Sequence, residues 1–168
     1  SEAYLKRGDS ALAIQTVEGA LKLRAGPEVY ARLGDAQTAQ RRWESAEQNF
    51  RRALEMDTNC SRALAGLGTV LLRRGKFEAA LDNLIRAVEA DPSWARPHSD
   101  MGLVYMQLGR WDQAAEAYQE SLSLSPRDAD SLSKLGLIYF RQGNYDEAIE
   151  VLQRAVELDP YSAEAHSH

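Results

Sequence analysis

Apolar and polar residues in this chain follow the period of an α-helix. In the stretch 129–162, a first apolar stripe is spaced i, i+3, i+7, i+8 and consists of Leu132, Leu135, Tyr139 and Phe140. A second stripe, from Ala148 to Val156, is also helical, and such spacing places apolar side chains on one helix face. Between the stripes, Gly143 can take the positive φ that ends a helix. The residue before Pro160 is pushed out of the α region. The pattern predicts a helix–turn–helix hairpin.

The hairpin pattern recurs along the chain at a fixed interval. The recurring columns are spaced by 34 residues and comprise a glycine (Gly34, Gly68, Gly102, Gly136), an alanine (Ala46, Ala80, Ala114, Ala148), an aromatic residue (Trp43, Phe77, Trp111, Tyr145) and a proline (Pro92, Pro126, Pro160). The complete units are 27–60, 61–94, 95–128 and 129–162. Residues 1–26 read as part of an earlier unit, and 163–168 as the start of a truncated one. We therefore expect one repeat array rather than separate domains.

The glycine column needs a packing reason. A glycine inside a helix costs about 0.8–1 kcal/mol relative to alanine, so its recurrence must be offset elsewhere. We expect Gly136 on the first helix and Ala148 on the second to let the two backbones approach closely. Tyr145 and Leu152 are then expected to fill the wider gaps.

These columns resemble those of the tetratricopeptide repeat (TPR) family. In the last unit the matching residues are Leu132, Leu135, Gly136, Tyr139, Gly143, Tyr145, Ala148, Leu152, Ala155 and Pro160. The resemblance covers nearly the whole chain. It implies an all-α fold, a right-handed α-solenoid or superhelix of antiparallel helix–turn–helix hairpins.

Composition excludes several classes of protein. The net charge of −5 and the pI near 5.3 argue against binding nucleic acid, which needs a basic surface. No run of about eighteen apolar residues occurs, so no membrane insertion is expected. The start of the chain lacks the basic and apolar regions of a signal peptide, and we expect a cytoplasmic location. The single cysteine, Cys60, rules out an internal disulfide framework.

No catalytic constellation is recognisable. His98 occupies a helix-packing column, and His166 and His168 lie at the end of the chain, where a metal site is not expected. An acidic residue recurs at the start of each second helix (Glu44, Glu78, Asp112, Asp146), where it interacts favourably with the helix dipole. The isolated glycines form no phosphate-binding loop. We predict no catalytic residue, no metal and no cofactor, and hence no enzyme.

A binding surface is what the resemblance implies instead. In the TPR family, first helices line a concave face on which peptides bind. The residues carried over to that face as candidate peptide-binding residues are Arg62, Thr69, Leu72, Arg73, Arg96, Ser99, Leu103, Met106, Gln107, Asp130, Ser133, Leu137, Phe140 and Arg141, beside Glu28, Ala31, Asp35, Thr38 and Ala65. Four of these form an expected apolar patch (Leu103, Met106, Leu137, Phe140), and four are arginines suited to carboxylates (Arg62, Arg73, Arg96, Arg141).

The leading hypothesis is a non-catalytic scaffold for protein–protein interaction that binds an acidic–apolar peptide or protein segment. A second hypothesis is a substrate-recruiting arm of a larger enzyme or assembly factor. A third is self-association as a homo-oligomer through uncapped end helices, whose bare faces would expose apolar surface.

Overall fold

A computed structural model describes residues 26–159 of the chain. The partial units expected at the two ends of the sequence, and Pro160, lie outside the described residues.

The described residues form helices joined by short turns. In chain order the helices are α1 (Pro27–Ala39), α2 (Trp43–Met56), α3 (Ser61–Arg73), α4 (Phe77–Ala90), α5 (Ala95–Gln107), α6 (Trp111–Leu124), α7 (Ala129–Gln142) and α8 (Tyr145–Leu158). Consecutive helices pair as α1/α2, α3/α4, α5/α6 and α7/α8. The predicted all-α fold of repeated helical hairpins is confirmed.

Each hairpin turn uses a residue in the left-handed region. After α7, Gly143 has φ 84°, and the next amide, Asn144 N–H, donates to Tyr139 O at 2.9 Å. This six-to-one hydrogen bond is the Schellman motif that satisfies free carbonyls at a helix end. The first hairpin makes the same turn with Arg41 at φ 59°, where a side chain is strained. The sequence departs from the repeat at this one turn, but the backbone keeps its course.

The chain forms two compact units, Ser1–Asp91 and Pro92–His168. In unit 1, α3 packs against both α1 and α2 in addition to its hairpin partner α4. The Phe50 ring is fully buried between two helical glycines, Gly34 of α1 and Gly66 of α3. A β-carbon at Gly34 would lie 2.5 Å from Phe50 Cε1, and one at Gly66 would also overlap the ring. Close approach of α1 and α3 to this ring is therefore what these two glycines provide.

Unit 1 also contains an ion-pair cluster that links α2 to α3. The Glu47 carboxylate accepts hydrogen bonds from Arg51, at 2.7 Å, and from Arg74. Burial would raise the pKa of Glu47, but the guanidinium groups of Arg51 and Arg74 outweigh it and hold the pKa below its ordinary value. The ion pair between Glu47 and Arg74 consequently helps to hold α3 against α2.

In unit 2 the core lies between α6, α7 and α8. Its buried members are Ala114, Ala115, Tyr118, Leu132, Leu135, Ile138, Val151 and Ala155. Tyr118 packs against Gly102 of α5 with 1% of its surface exposed. Among the described residues, no hydrogen-bond partner exists for its hydroxyl. Burial, with a further contribution from nearby carboxylates including Asp130, raises the pKa of this phenol.

One packing expectation is wrong for α8. Leu152 does pack against Gly136, with its Cγ 2.6 Å from where a β-carbon would lie. Tyr145, by contrast, fills no gap in the core, because its ring is exposed and meets Phe140 edge-on at a centroid distance of 5.5 Å. The repeat pattern does not reveal this difference, because Tyr145 shares its column with Trp43, Phe77 and Trp111. Those three aromatic residues are all partly buried.

Candidate functional site

Arg62 joins α1 and α3, the first helices of the two hairpins that the structure describes in unit 1. The resemblance to the TPR family had predicted that this arginine binds a ligand. Arg62 of α3 donates to Glu28 at 2.8 Å and to Asp35 at 3.1 Å, both on α1. Burial, which would lower the pKa of the Arg62 guanidinium, is outweighed by these two carboxylates, so the pKa is raised. The charge of Arg62 is thus compensated within the chain, and its first role is to hold α3 beside α1.

The other candidates on α3 differ in their access to solvent. Thr69 is buried, and its hydroxyl donates to Ala65 O at 3.0 Å, so this side chain takes part in packing. Leu72 is partly exposed, and Arg73 is exposed in the last turn of the helix. Within the part of unit 1 that the structure describes, Arg73 forms no ion pair. It is the candidate in unit 1 best placed to meet a carboxylate.

On α5 of unit 2, the polar candidates are turned toward their own helix. Arg96 forms an ion pair with Asp100 at 3.7 Å, and Ser99 Oγ donates to Arg96 O at 3.0 Å. Gln107 is exposed at the end of the helix. The apolar candidates Leu103 and Met106 are partly buried and pack against the core of unit 2. They therefore present only part of their surface to a ligand.

On α7, the apolar candidates point outward. Leu137 is 45% exposed and Phe140 is 59% exposed. Arg141 lies with its guanidinium carbon 4.7 Å from the centre of the Trp111 ring, a cation–π contact. This contact holds the guanidinium in place, and a stacked guanidinium still presents N–H groups along its edge. Asp130 pairs with Lys134 at 3.7 Å, and Ser133 Oγ donates to Ala129 O at 2.8 Å.

The structure therefore divides the sequence-predicted apolar patch. Leu137 and Phe140 are available to a ligand, whereas Leu103 and Met106 are partly committed to the core. The charges divide in the same way, since Arg62 and Arg96 are paired with carboxylates of the described residues and Arg73 and Arg141 are not. The surface formed by Leu137, Phe140 and Arg141 can therefore bind a ligand in which an apolar side chain lies next to a carboxylate.

Two features of the structure were not predicted from the sequence. Gly66 lies outside the recurring glycine column, and only the neighbouring Phe50 ring explains it. The second is an exposed apolar face on α8, which the general expectation of bare end helices did not assign to particular residues. It comprises Tyr145, Ile149, Leu152 and Val156. Their helical spacing, beside a second stripe that packs inward, is the signal that could have found them.

Chemistry of other kinds finds no support in the described residues. Between residues 26 and 159, no group of three or more His, Cys, Asp or Glu side chains is arranged to hold a metal ion. Over the same range, no helix combines the length and apolar character needed to cross a membrane. Cys60 is buried at the start of α3, and burial raises the pKa of its thiol, which makes it a poor nucleophile.

The 34-residue period, the paired helices and the repeated Schellman turns define a tetratricopeptide repeat protein. The family model described as the cilia and flagella-associated protein 70 C-terminal domain matches residues 1–168, and the chain belongs to this family. TPR proteins are in general non-catalytic scaffolds, and a general role as a protein-interaction scaffold follows for the chain.

Solved structures agree with the assignment. TTC0263, a thermophilic TPR protein of Thermus thermophilus, is 26% identical and superposes with a TM-score of 0.78, over 95% of this chain and 88% of that one. MamA of Desulfovibrio magneticus RS-1 is 25% identical with a TM-score of 0.73, over 95% and 96%. YrrB, a TPR protein with an unusual peptide-binding site, is 23% identical with a TM-score of 0.70, over 95% and 84%, and shows a similarity of fold. No curated protein sequence matches the chain.

Proposed function

We propose that this chain binds a partner peptide on the first-helix face of unit 2, formed by α5 and α7. The observation that carries the proposal is the exposure of Leu137 and Phe140, two large apolar side chains one helical turn apart on α7. Large apolar side chains exposed together are a feature of interaction surfaces rather than of an ordinary soluble face. Aromatic residues such as Phe140 also dominate binding energy where they become buried.

The charges around this pair support an acidic–apolar ligand. Arg141 adjoins Phe140 and is held by Trp111, so a peptide carboxylate can reach its N–H groups without first ordering the side chain. Within unit 2, Arg96 contributes less, because a ligand would have to compete with the Asp100 carboxylate.

General features of the fold support the same function. A face built from first helices is rigid, because each helix is held by its hairpin partner and by the core. Rigid surfaces bind peptides without a large entropic penalty on the protein side. YrrB shows that a TPR protein of this fold can carry a peptide-binding site.

The proposal can be tested by selecting peptides from a displayed library on the immobilised chain and measuring their affinities. Phe140→Ala is expected to weaken binding about tenfold or more, because burial of such a side chain is worth about 1.5–3 kcal/mol. Arg141→Glu should weaken peptides that carry acidic residues more than peptides that do not. The neutral change Arg96→Gln should have a small effect, since Arg96 is already paired with Asp100.

The matched control is Leu124→Ala. Leu124 is an exposed apolar residue at the end of α6, outside the proposed face, so its removal should leave affinity unchanged. Unchanged affinity for every selected peptide in both Phe140→Ala and Leu137→Ala would contradict the proposal.

A further inference from the structure

The outer face of α8 is an apolar stripe that is covered at the same positions of other second helices. Tyr145, Ile149, Leu152 and Val156 follow the spacing i, i+4, i+7, i+11 and are all exposed. The Leu152 position illustrates the contrast. Leu152 is 38% exposed, whereas Phe50 on α2 and Tyr118 on α6 are 0% and 1% exposed.

The helices that cover α2 and α6 show what such a face accepts. In unit 2, α7 lies on α6, and Gln142 Nε2 donates to Asp112 Oδ1 at 2.8 Å while Arg141 stacks on Trp111. The C-terminal end of α7 thus meets the N-terminal end of α6, so the two helices are antiparallel. In unit 1, Arg74 at the C-terminal end of α3 reaches Glu47 near the start of α2. In both pairs a cation at the C-terminal end of the covering helix reaches the first turns of the helix that it covers.

The start of α8 offers the same partners to a covering helix. Tyr145 occupies the repeat position of Trp111, and Asp146 occupies that of Asp112. An exposed aromatic ring and a carboxylate side by side suit a guanidinium or ammonium group. The remaining flank of the stripe is acidic as well, with Glu150 and Glu157 one position beyond Ile149 and Val156.

This charge distribution argues against α8 of a second copy as the covering helix. Helix α8 carries four carboxylates and one guanidinium, so two copies laid against each other would oppose like charges along the seam. Like charges brought together at an interface disfavour that partner. A helix with basic residues meets no such repulsion.

We propose that the outer face of α8 docks an amphipathic helix of a partner polypeptide. The helix runs antiparallel to α8, places apolar side chains on Ile149, Leu152 and Val156, and brings Arg or Lys from its last turn to Tyr145 and Asp146. Helix-in-groove recognition of this kind uses anchors at i, i+3 or i+4, and i+7, which matches the stripe. The surface adjoins the first-helix face at the contact between Tyr145 and Phe140, but it consists of α8 residues and its partner is basic rather than acidic.

The test uses the chain 1–168 and a synthetic helical probe. The probe is a hydrocarbon-stapled peptide with the α7 sequence Ala129–Gln142, because α7 is the helix that covers α6. Binding of the labelled probe is followed by fluorescence polarisation. Ile149→Ser should weaken it about tenfold or more, as expected for loss of a buried aliphatic contact. Leu124→Ala is the matched control and should leave it unchanged.

A charge exchange separates the proposed orientation from nonspecific apolar contact. A second probe carries Arg141→Glu and Gln142→Glu, and it should bind the unchanged chain more weakly than the first. Asp146→Lys in the chain should reverse that preference, so that the acidic-ended probe binds better. Ile149 and Asp146 are both exposed, so the two substitutions in the chain should not disturb the core. Far-ultraviolet circular dichroism checks that the helices persist.

Three results would overturn the proposal: no binding of the basic-ended probe, binding that Ile149→Ser leaves unchanged, or no reversal with Asp146→Lys. Sedimentation equilibrium adds a fourth, a dimer of the chain that Ile149→Ser abolishes, which would make a second copy the occupant. The peptide proposal for α5 and α7 depends on Phe140→Ala instead. The two ideas therefore fail on different variants.

Discussion

The glycine column predicts that one substitution will be costly at one position and nearly neutral at an equivalent one. Gly34 and Gly136 lie in the same repeat column, and each faces the side chain of its own second helix. At Gly34 that side chain is Phe50, which is fully buried and held from the other side by Gly66. At Gly136 it is Leu152, which is partly exposed and free to move outward.

Both alanine variants gain the same helix propensity, about 0.8–1 kcal/mol. Gly34→Ala must also displace ring atoms 2.5–2.7 Å from the new β-carbon. Because the ring has no space to move into, we expect an overpacking cost at the upper end of the usual range, about 3 kcal/mol. The net expectation is a loss of about 2 kcal/mol for Gly34→Ala and a change within about 0.5 kcal/mol for Gly136→Ala.

Urea unfolding followed by circular dichroism measures both free energies of unfolding. A double-mutant cycle with Phe50→Leu adds an internal check, because the smaller side chain should relieve the clash. Gly34→Ala should then cost at least about 1 kcal/mol less in that background than in the unchanged chain. Equal effects of the two alanine substitutions, or no coupling to Phe50, would refute the argument that the ring sets the need for glycine.

Three further predictions follow from local geometry. Arg41→Gly should raise the free energy of unfolding by about 0.5–1 kcal/mol, because it removes a side chain from a left-handed turn, and thermal unfolding will show a higher midpoint. Tyr118→Phe should stabilise by about 1 kcal/mol, since the buried hydroxyl has no partner among the described residues, whereas Tyr139→Phe should not, because its hydroxyl interacts with a glutamine. For Glu47, whose pKa is depressed in the fold, the stabilisation is fully present above the ordinary pKa of 4.5 and is lost as pH falls through the folded-state value. Arg74→Gln should therefore destabilise the chain at pH 7 and have less effect once the pH falls below the folded-state pKa of Glu47, as acid titrations of stability will show.

Much of the fold could be predicted from the sequence because helices and turns are encoded locally. The apolar period and Gly143 sufficed for the hairpin of α7 and α8, and the repeat carried that prediction to the other hairpins. The Schellman turn at Arg41 shows that a backbone course set by its neighbours survives the loss of the favoured residue.

The candidate site was less predictable because it depends on contacts between distant residues. Arg62 looks like a ligand-binding cation in sequence, but Glu28 and Asp35, 34 and 27 residues earlier, neutralise it. Burial of Thr69 and exposure of Phe140 are likewise tertiary properties that the repeat columns alone do not contain. The role of a substrate-recruiting arm in a larger enzyme or assembly factor stays a prediction.

The central claim is that Phe140 and its neighbours on α7 form the peptide-binding surface. Isothermal titration of one library-selected peptide into the unchanged chain, Phe140→Ala and Leu124→Ala tests it most directly. We predict a dissociation constant raised about tenfold or more by Phe140→Ala and unchanged by Leu124→Ala. Equal dissociation constants for all three proteins would contradict the account.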